Sequence, residues 1–294
     1  MKIWTWNIKQ FLGPNKKLPM QYIVYQNIVD QISELVNDSK ADIIVLQEFI
    51  ESNCGNFLDQ ISNKYRYILP TMPKLRYREI FKHDQPRNPC TVHEKQKVSN
   101  DYTVPNKTHM VTIILVSNKD EMKDFQLVNP DSNNERFIWK KGFRWIEIKE
   151  KNNDLSILGV HIPDSKYYQK ESECYWENLD WYSNKRKDNS KHKSVVIGDM
   201  NVFDEGTKSK EYFNKLTKHV GGREPLLYDA WWMMNEGNKN KSTFENGKRI
   251  DYILLSEVLK SNVRWVNCDD SVISRQTSDH AILSVEIDIN KFDK

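Results

Sequence analysis

Ser194-Val195-Val196-Ile197-Gly198-Asp199-Met200-Asn201 is the stretch on which the reading of the fold turns. Its first half is a short apolar run, the pattern of a strand covered on both faces. Its second half sets an aspartate and an asparagine where that strand stops. The same pairing recurs along the chain. Ile3 to Trp6 ends in Asn7, the run from Asp42 to Leu46 ends in Gln47-Glu48, and Leu155 to Val160 ends in His161. Asp251 interrupts Arg249-Ile250-Asp251-Tyr252-Ile253-Leu254, and Ser278-Asp279-His280 opens the last run.

Further strands are predicted at 113–116, 145–148, 250–255, 263–266 and 281–287. Helices lie between them. Over 22–37, Val24, Ile28, Ile32, Leu35 and Val36 recur at helical spacing. An aromatic-rich helix is predicted over 166–182. Another is predicted over 209–220, with Tyr212, Phe213, Leu216 and Val220 on one side. Strands alternating with helices imply a layered α/β fold. Periodicity alone leaves one sheet or two open.

Each polar strand end, taken singly, has a plain structural explanation. Asn7 could cap a turn, Glu48 could be solvated, and Asp199 and Asn201 could bond their own backbone as Asx residues do. Asp251 could pair with Arg249. Six such positions in one chain weigh differently, because a carboxylate buried in an apolar strand loses hydration that something must replace. In layered α/β folds, loops converge at strand ends on a rigid scaffold, and ligand sites gather there.

The chain has 294 residues, enough to bury a large core without metal or disulfide staples. Its net charge of +3 neither demands nor excludes a polyanionic partner. Cys54, Cys90, Cys174 and Cys268 are scattered and suggest reduced thiols. The opening Met1-Lys2-Ile3-Trp4 has no signal-peptide architecture, and no apolar run is long enough to span a bilayer. A cytoplasmic, monomeric protein without stable membrane association is expected. With no repeat or linker in view, one domain over 1–294 is expected.

An irregular basic insertion at 72–107 stands apart, with four prolines and little periodicity. It reads equally as a solvated excursion or a substrate-contacting loop. Cys90-x-x-His93, near His83 and His109, is incomplete as a zinc site.

The ordered set Thr5-Trp6-Asn7, Leu46-Gln47-Glu48, Val160-His161, Gly198-Asp199-Met200-Asn201, Arg249-Ile250-Asp251-Tyr252 and Ser278-Asp279-His280 resembles the signature of the endonuclease/exonuclease/phosphatase superfamily. The match spans almost the whole chain. It implies a DNase I-like four-layered α/β sandwich: two mixed β-sheets packed face to face, helices outside, and a cleft at one end. It implies metal-dependent hydrolysis of phosphate esters by in-line attack of water, with Mg²⁺ as cofactor and Mn²⁺ as a substitute.

The chemistry suits these residue types. Phosphate charge repels hydroxide, and a hard divalent cation offsets it using few carboxylates. By the resemblance, Glu48 is the main metal ligand with Asn7 beside it, and Asp279 serves that site or a second ion. His280 is the general base and Asp251 orients it. Asp199 orients or helps deprotonate the attacking water, and Asn201 donates to a phosphate oxygen. His161 binds the phosphate and is positioned to protonate the leaving group. Its presence in Gly159-Val160-His161 argues against the exonuclease III branch, which has an asparagine motif there. Arg144 either approaches the substrate phosphate or is an ordinary surface arginine. Where DNase-like members carry an acidic residue before the 113–116 strand, this chain has His109-Met110, so no partner for His161 is named. Asp229 is read as structural, and Thr243-Phe244 as scaffolding for the site.

The leading expectation is a nuclease or phosphodiesterase acting on nucleic acid. The alternative is a phosphatase or phosphodiesterase for small phosphate esters or phospholipid headgroups. A non-enzymatic descendant ranks last, because every principal position is filled.

Overall fold

The structure is a computed structural model that describes residues 1–13, 25–73, 102–103, 105, 108–129, 142–152, 154–187, 192–202, 206–220, 222–236 and 241–289. Two six-stranded mixed sheets form its frame. The first contains β1 (Lys2–Asn7), β2 (Ile43–Phe49), β3 (Tyr65–Ile68), β6 (Val111–Ser117), β13 (Val263–Asp269) and β14 (Ile282–Ile287). The second contains β7 (Phe125–Val128), β8 (Trp145–Glu150), β9 (Leu155–His161), β10 (Lys193–Asp199), β11 (Tyr228–Asp229) and β12 (Asp251–Leu255). Their orders are β13-β14-β1-β2-β6-β3 and β11-β12-β10-β9-β8-β7. Each sheet has one parallel pair at its centre, β1 with β2 and β9 with β10.

Strand alternation sorts side chains between layers. In β2, Ile43 and Val45 point into the core between the sheets, while Ile44 and Leu46 point outward. In β9, Leu155 and Ile157 face the inner core, while Leu158 and Val160 face outward. Both faces are therefore apolar, which explains why these strands read as continuous hydrophobic runs. The outer face of the first sheet is covered by α1 (Gln26–Asp38) and α2 (Phe57–Ile61). Val29, Ile32 and Val36 of α1 are fully buried, each contributing roughly 1.5–3 kcal/mol relative to exposure. The outer face of the second sheet is covered by α3 (Gln169–Lys187) and α4 (Lys208–Thr217).

The expected two-sheet sandwich is present, with shifted element ends. The helix expected from 166 begins at Gln169, because Asp164 arrests the chain in a turn. Its carboxylate accepts the Lys166 N–H, and its carbonyl accepts those of Tyr167 and Tyr168. Residues 22–24 lie outside the described residues, and α1 starts at Gln26. Asp251 does not interrupt a strand but begins one. Arg249 pairs with Asp229 at 2.5 Å instead of with Asp251. Asp229 also caps α5 (Ala230–Met234) by accepting the Trp232 N–H, a structural role.

The insertion opens and closes on a short antiparallel ladder, β4 (Met72–Pro73) with β5 (Tyr102–Thr103). The residues between, 74–101, lie outside the described set, and with them Cys90, His93 and His83. Among the described residues, Cys54, Cys174 and Cys268 are free thiols. No helix among them is long and apolar enough to cross a membrane.

Candidate active site

Three neighbouring strands of the second sheet end in one row of functional groups. Asp199 of β10 is in register with His161 of β9 on one side and Asp251 of β12 on the other. Directly opposed residues project from the same face of a sheet, so the row aims three polar side chains at one point. All three are at least 97% buried. Gly198 makes the row feasible. Its φ is +144°, and a Cβ there would lie 1.9 Å from the Val160 carbonyl oxygen.

The first sheet supplies the facing groups. Asn7 ends β1, and its amide donates to Glu48 at 3.2 Å and to Asp199 at 3.0 Å, tying the two sheets together. The register between β2 and β6 slips between Leu46 and Phe49, and Glu48 lies in that bulge with φ of +55°. Bulges re-aim side chains, and strained backbone concentrates at functional sites. The Glu48 side chain is one-fifth exposed and also accepts from Gln10 at 3.1 Å.

The segment before β14 brings in His280. Ser278 Oγ donates to the Asn7 carbonyl, Trp6 Nε1 donates to the His280 carbonyl, and Ser278 Oγ accepts the His280 N–H. The His280 Nδ1 lies 3.0 Å from Asp251, its Nε2 lies 3.9 Å from Asp199, and Phe244 packs against the ring at a tilt of 55°. Thr243 Oγ1 accepts the N–H groups of Ile250 and Asp251, and its carbonyl accepts the Ala281 N–H. Thr243 and Phe244 therefore brace both halves of the His–Asp pair.

Burial pushes the Asp199 carboxyl up to about 7. The His280 cation and the Asn7 hydrogen bond oppose that rise, while Asp251 and Glu48 add to it. Burial disfavours a charged His280, but the Asp251 carboxylate and its hydrogen bond, with Asp199 and Asp279, raise the imidazole to about 10. Arg144 is 94% buried, and burial pushes its guanidinium down despite nearby Glu48 and Asp199. It is not an ordinary surface arginine. Its Nη1 lies 3.5 Å from His161 Nε2, which is 3.7 Å from Asp199 and 3.8 Å from Glu48.

Of these groups, Glu48, Arg144, His161, Asp199, Phe244 and His280 line one cavity of about 570 Å³, and Asn7 and Asp251 are hydrogen-bonded to its lining residues Asp199 and His280. Asn201, with φ of +46°, sits on its rim, its N–H bonded to Asp199 and its amide to the Ile162 carbonyl. Asp279 lines the cavity too, ion-paired with Lys9 at 2.5 Å. Asp199, Asp251 and His280 offer ligand atoms all within 4.8 Å of one another, a group that could hold a metal ion. Glu48 and Asp199 supply the hard oxygen donors that Mg²⁺ or Mn²⁺ takes. Asn7 turns its amide nitrogen toward the carboxylates and its oxygen toward the Lys9 N–H.

Every residue expected at the site is thus brought together. Sequence reasoning missed Lys9 and Gln10, which follow Asn7 directly, and Lys166, Tyr167 and Tyr168, which follow His161 by a few residues. It also missed Asn246 and Lys248. Proximity to the strand-end motifs was the available signal.

Two face-to-face mixed sheets with helices outside and a polar cleft at one end constitute a DNase I-like α/β sandwich. Solved structures carry the same likeness end to end. An AP endonuclease from Archaeoglobus fulgidus matches with a TM-score of 0.60 at 16% identity, covering 98% of this chain and 100% of that one. A Neisseria 3′ phosphatase, NExo, bound to product DNA hairpin matches at 0.59 and 16%, covering 98% and 99%. Truncated Caenorhabditis elegans TDP2 matches at 0.57 and 16%, covering 97% and 96%. No protein-family model and no curated protein sequence matches the chain. At such identities the likeness is one of fold and does not select a branch.

Proposed function

We propose that this protein is a metal-dependent phosphoesterase acting on nucleic acid, with Mg²⁺ as its natural ion. The carrying observation is the buried constellation in which Asp251 holds His280, Asn7 bridges Glu48 and Asp199, and His161 and Arg144 stand opposite. The likeness to a 3′ phosphatase bound to a product DNA hairpin and to an AP endonuclease supports the same substrate class.

Glu48 would hold the cation, with Asn7 bracing the carboxylate and Asp199 adjacent. When bound, the ion neutralises phosphate charge and stabilises the leaving oxygen. His280 receives the proton of the attacking water at Nε2, because Nδ1 is committed to Asp251. Asp251 fixes the ring and stabilises its protonated form. Asp199, 3.9 Å from His280 Nε2, orients the water between them. Arg144 and His161 form a cationic and hydrogen-bonding wall for the non-bridging oxygens. Asn201 supplies an amide at the rim.

Tyr167 is 70% exposed and Tyr168 44% exposed on the cavity wall, beside Lys166 and Lys248. Exposed rings interleaved with cations suit a nucleic-acid strand, whose bases stack and whose backbone is anionic. Removal of a terminal phosphate is the second reading, favoured by the likeness to a 3′ phosphatase.

The decisive experiment incubates single-stranded DNA, single-stranded RNA, duplex DNA and 3′-phosphorylated oligonucleotides with the protein in Mg²⁺ or EDTA. Cleavage or phosphate release is expected with Mg²⁺ alone, falling by roughly 10²–10⁴-fold in His280→Ala. Glu48→Ala and Asp199→Ala are expected to lose turnover by orders of magnitude while remaining folded. Substrates untouched under every metal condition would reject the proposal.

A further inference from the structure

Lys9 lines the cavity and ion-pairs there with Asp279. The chain leaves β1 at Asn7 and enters a tight turn in which Lys9, Gln10 and Phe11 have φ of 44°, 58° and 60°. None is glycine, so all three sit in a region that side chains disfavour, and such strain persists only where surrounding contacts fix it. The fixing contacts are specific. The Lys9 N–H donates to Asn7 Oδ1 at 3.0 Å, and Gln10 Nε2 donates to Glu48 at 3.1 Å.

The same turn drives the Lys9 ammonium against Asp279 Oδ2 at 2.5 Å. The pair is largely enclosed, with side chains 24% and 9% exposed, and both residues line the cavity holding Glu48 and His280. The other Asp279 oxygen lies 4.0 Å from His280 Nε2. Asp279 is therefore flanked by a fixed cation and an imidazole. A divalent ion bound there would meet the ammonium at close range in a partly desolvated site, where like charges repel strongly.

We propose, building on the phosphoesterase reading, that Lys9 is a built-in cation that neutralises Asp279 and confines the site to one divalent ion, held at Glu48. Asp279 is then not a metal ligand in the wild-type protein. Lys9 acts as a positioning residue, fixing and neutralising the Asp279 carboxylate without needing an ion from solution.

Mn²⁺ binding to the full chain tests this, counted by calorimetry and electron paramagnetic resonance in wild type, Glu48→Ala, Asp279→Ala, Lys9→Ala and the Lys9→Ala/Asp279→Ala double variant. Circular dichroism confirms that each variant is folded, and Asp279→Asn replaces Asp279→Ala if the latter is not. Wild type is expected to bind one ion that Glu48→Ala abolishes. Asp279→Ala should change that affinity by less than threefold in the wild-type background. In the Lys9→Ala background the same substitution should remove an ion or weaken binding at least tenfold. Two ions in wild type, a tenfold loss from Asp279→Ala alone, or no effect of Asp279→Ala in the Lys9→Ala background would overturn the proposal and leave the phosphoesterase reading standing. A wild type that binds no Mn²⁺ would overturn both.

Discussion

Asp251 holds Nδ1 of His280 at 3.0 Å, and the two side chains are 1% and 7% exposed. A carboxylate that close, sealed from water, favours the imidazolium over the neutral ring, which is why His280 rises to about 10 despite its burial. A base must be neutral to accept a proton. In the protein without metal, His280 is thus charged at pH 7. Divalent charge placed at Glu48 would oppose that cation and lower its pKa.

Asp251→Asn removes the main stabilising charge on His280, so the imidazole pKa should fall. Nitrogen-15 NMR of the metal-free proteins should show wild-type His280 protonated through pH 8. The variant should titrate at least one unit lower. Magnesium should shift the wild type in the same direction. Wild-type and Asp251→Asn curves that superimpose would remove Asp251 from its proposed role.

Asp199 carries a stability signature of opposite character. Its carboxyl is raised from 3.8 to about 7 on folding. The folded state therefore holds a proton that the unfolded chain has lost. That penalty is absent below about pH 3.8, grows through the interval, and is complete above about pH 7. Asp199→Asn has no such titration. Relative to wild type, it should gain stability between pH 5 and pH 8 in urea denaturation without metal. A difference between the two proteins that does not change with pH would contradict the burial argument.

Tyr167 and Tyr168 leave room for a stacking test. Base–aromatic stacking contributes roughly 1–3 kcal/mol per base. Replacing both tyrosines with alanine should raise KM for single-stranded substrates by about tenfold or more. Turnover at saturation should stay within a fewfold, because both rings lie on the exposed part of the cavity wall while His280 is buried. The same KM for wild type and the double variant would show that the rings do not grip the strand.

Much of the architecture was legible because continuous apolar runs, helical spacing and polar strand ends are local properties. Ile43-Ile44-Val45-Leu46 is apolar on both faces, and the structure buries both. Asn7, Asp199, Asp251 and His280 stood out because each is polar at the end of an apolar run. Other features depend on partners distant in sequence. Tyr65–Ile68 and Phe125–Val128 are strands only through pairing with β6 and β8. The bulge that aims Glu48 exists only against β6. Lys9 reads as a surface lysine until a strained turn and a residue 270 positions away define its place.

Gly159 tests how closely the two sheets meet beneath the site. It lies in β9, two residues before His161, and its backbone is ordinary, so the constraint there is space and not conformation. A Cβ at this position would lie 2.6 Å from Val45 Cγ1, 3.2 Å from Ile146 Cγ2 and 3.3 Å from Thr112 Cγ2. The nearest contact is a fully buried valine in the opposite sheet. Relief would require a shift of β2 or β9, the strands that carry Glu48 and His161. Overpacking of this kind destabilises by roughly 1–3 kcal/mol. Gly159→Ala should lower the denaturation midpoint accordingly and reduce turnover, and Gly159→Val should do more of both. The paired variant Gly159→Ala/Val45→Ala should recover a good part of the stability, because it removes the clashing methyl. Thermal unfolding of the three proteins beside wild type decides the matter. A Gly159→Ala protein as stable as wild type would mean that the sheets stand farther apart than these contacts require.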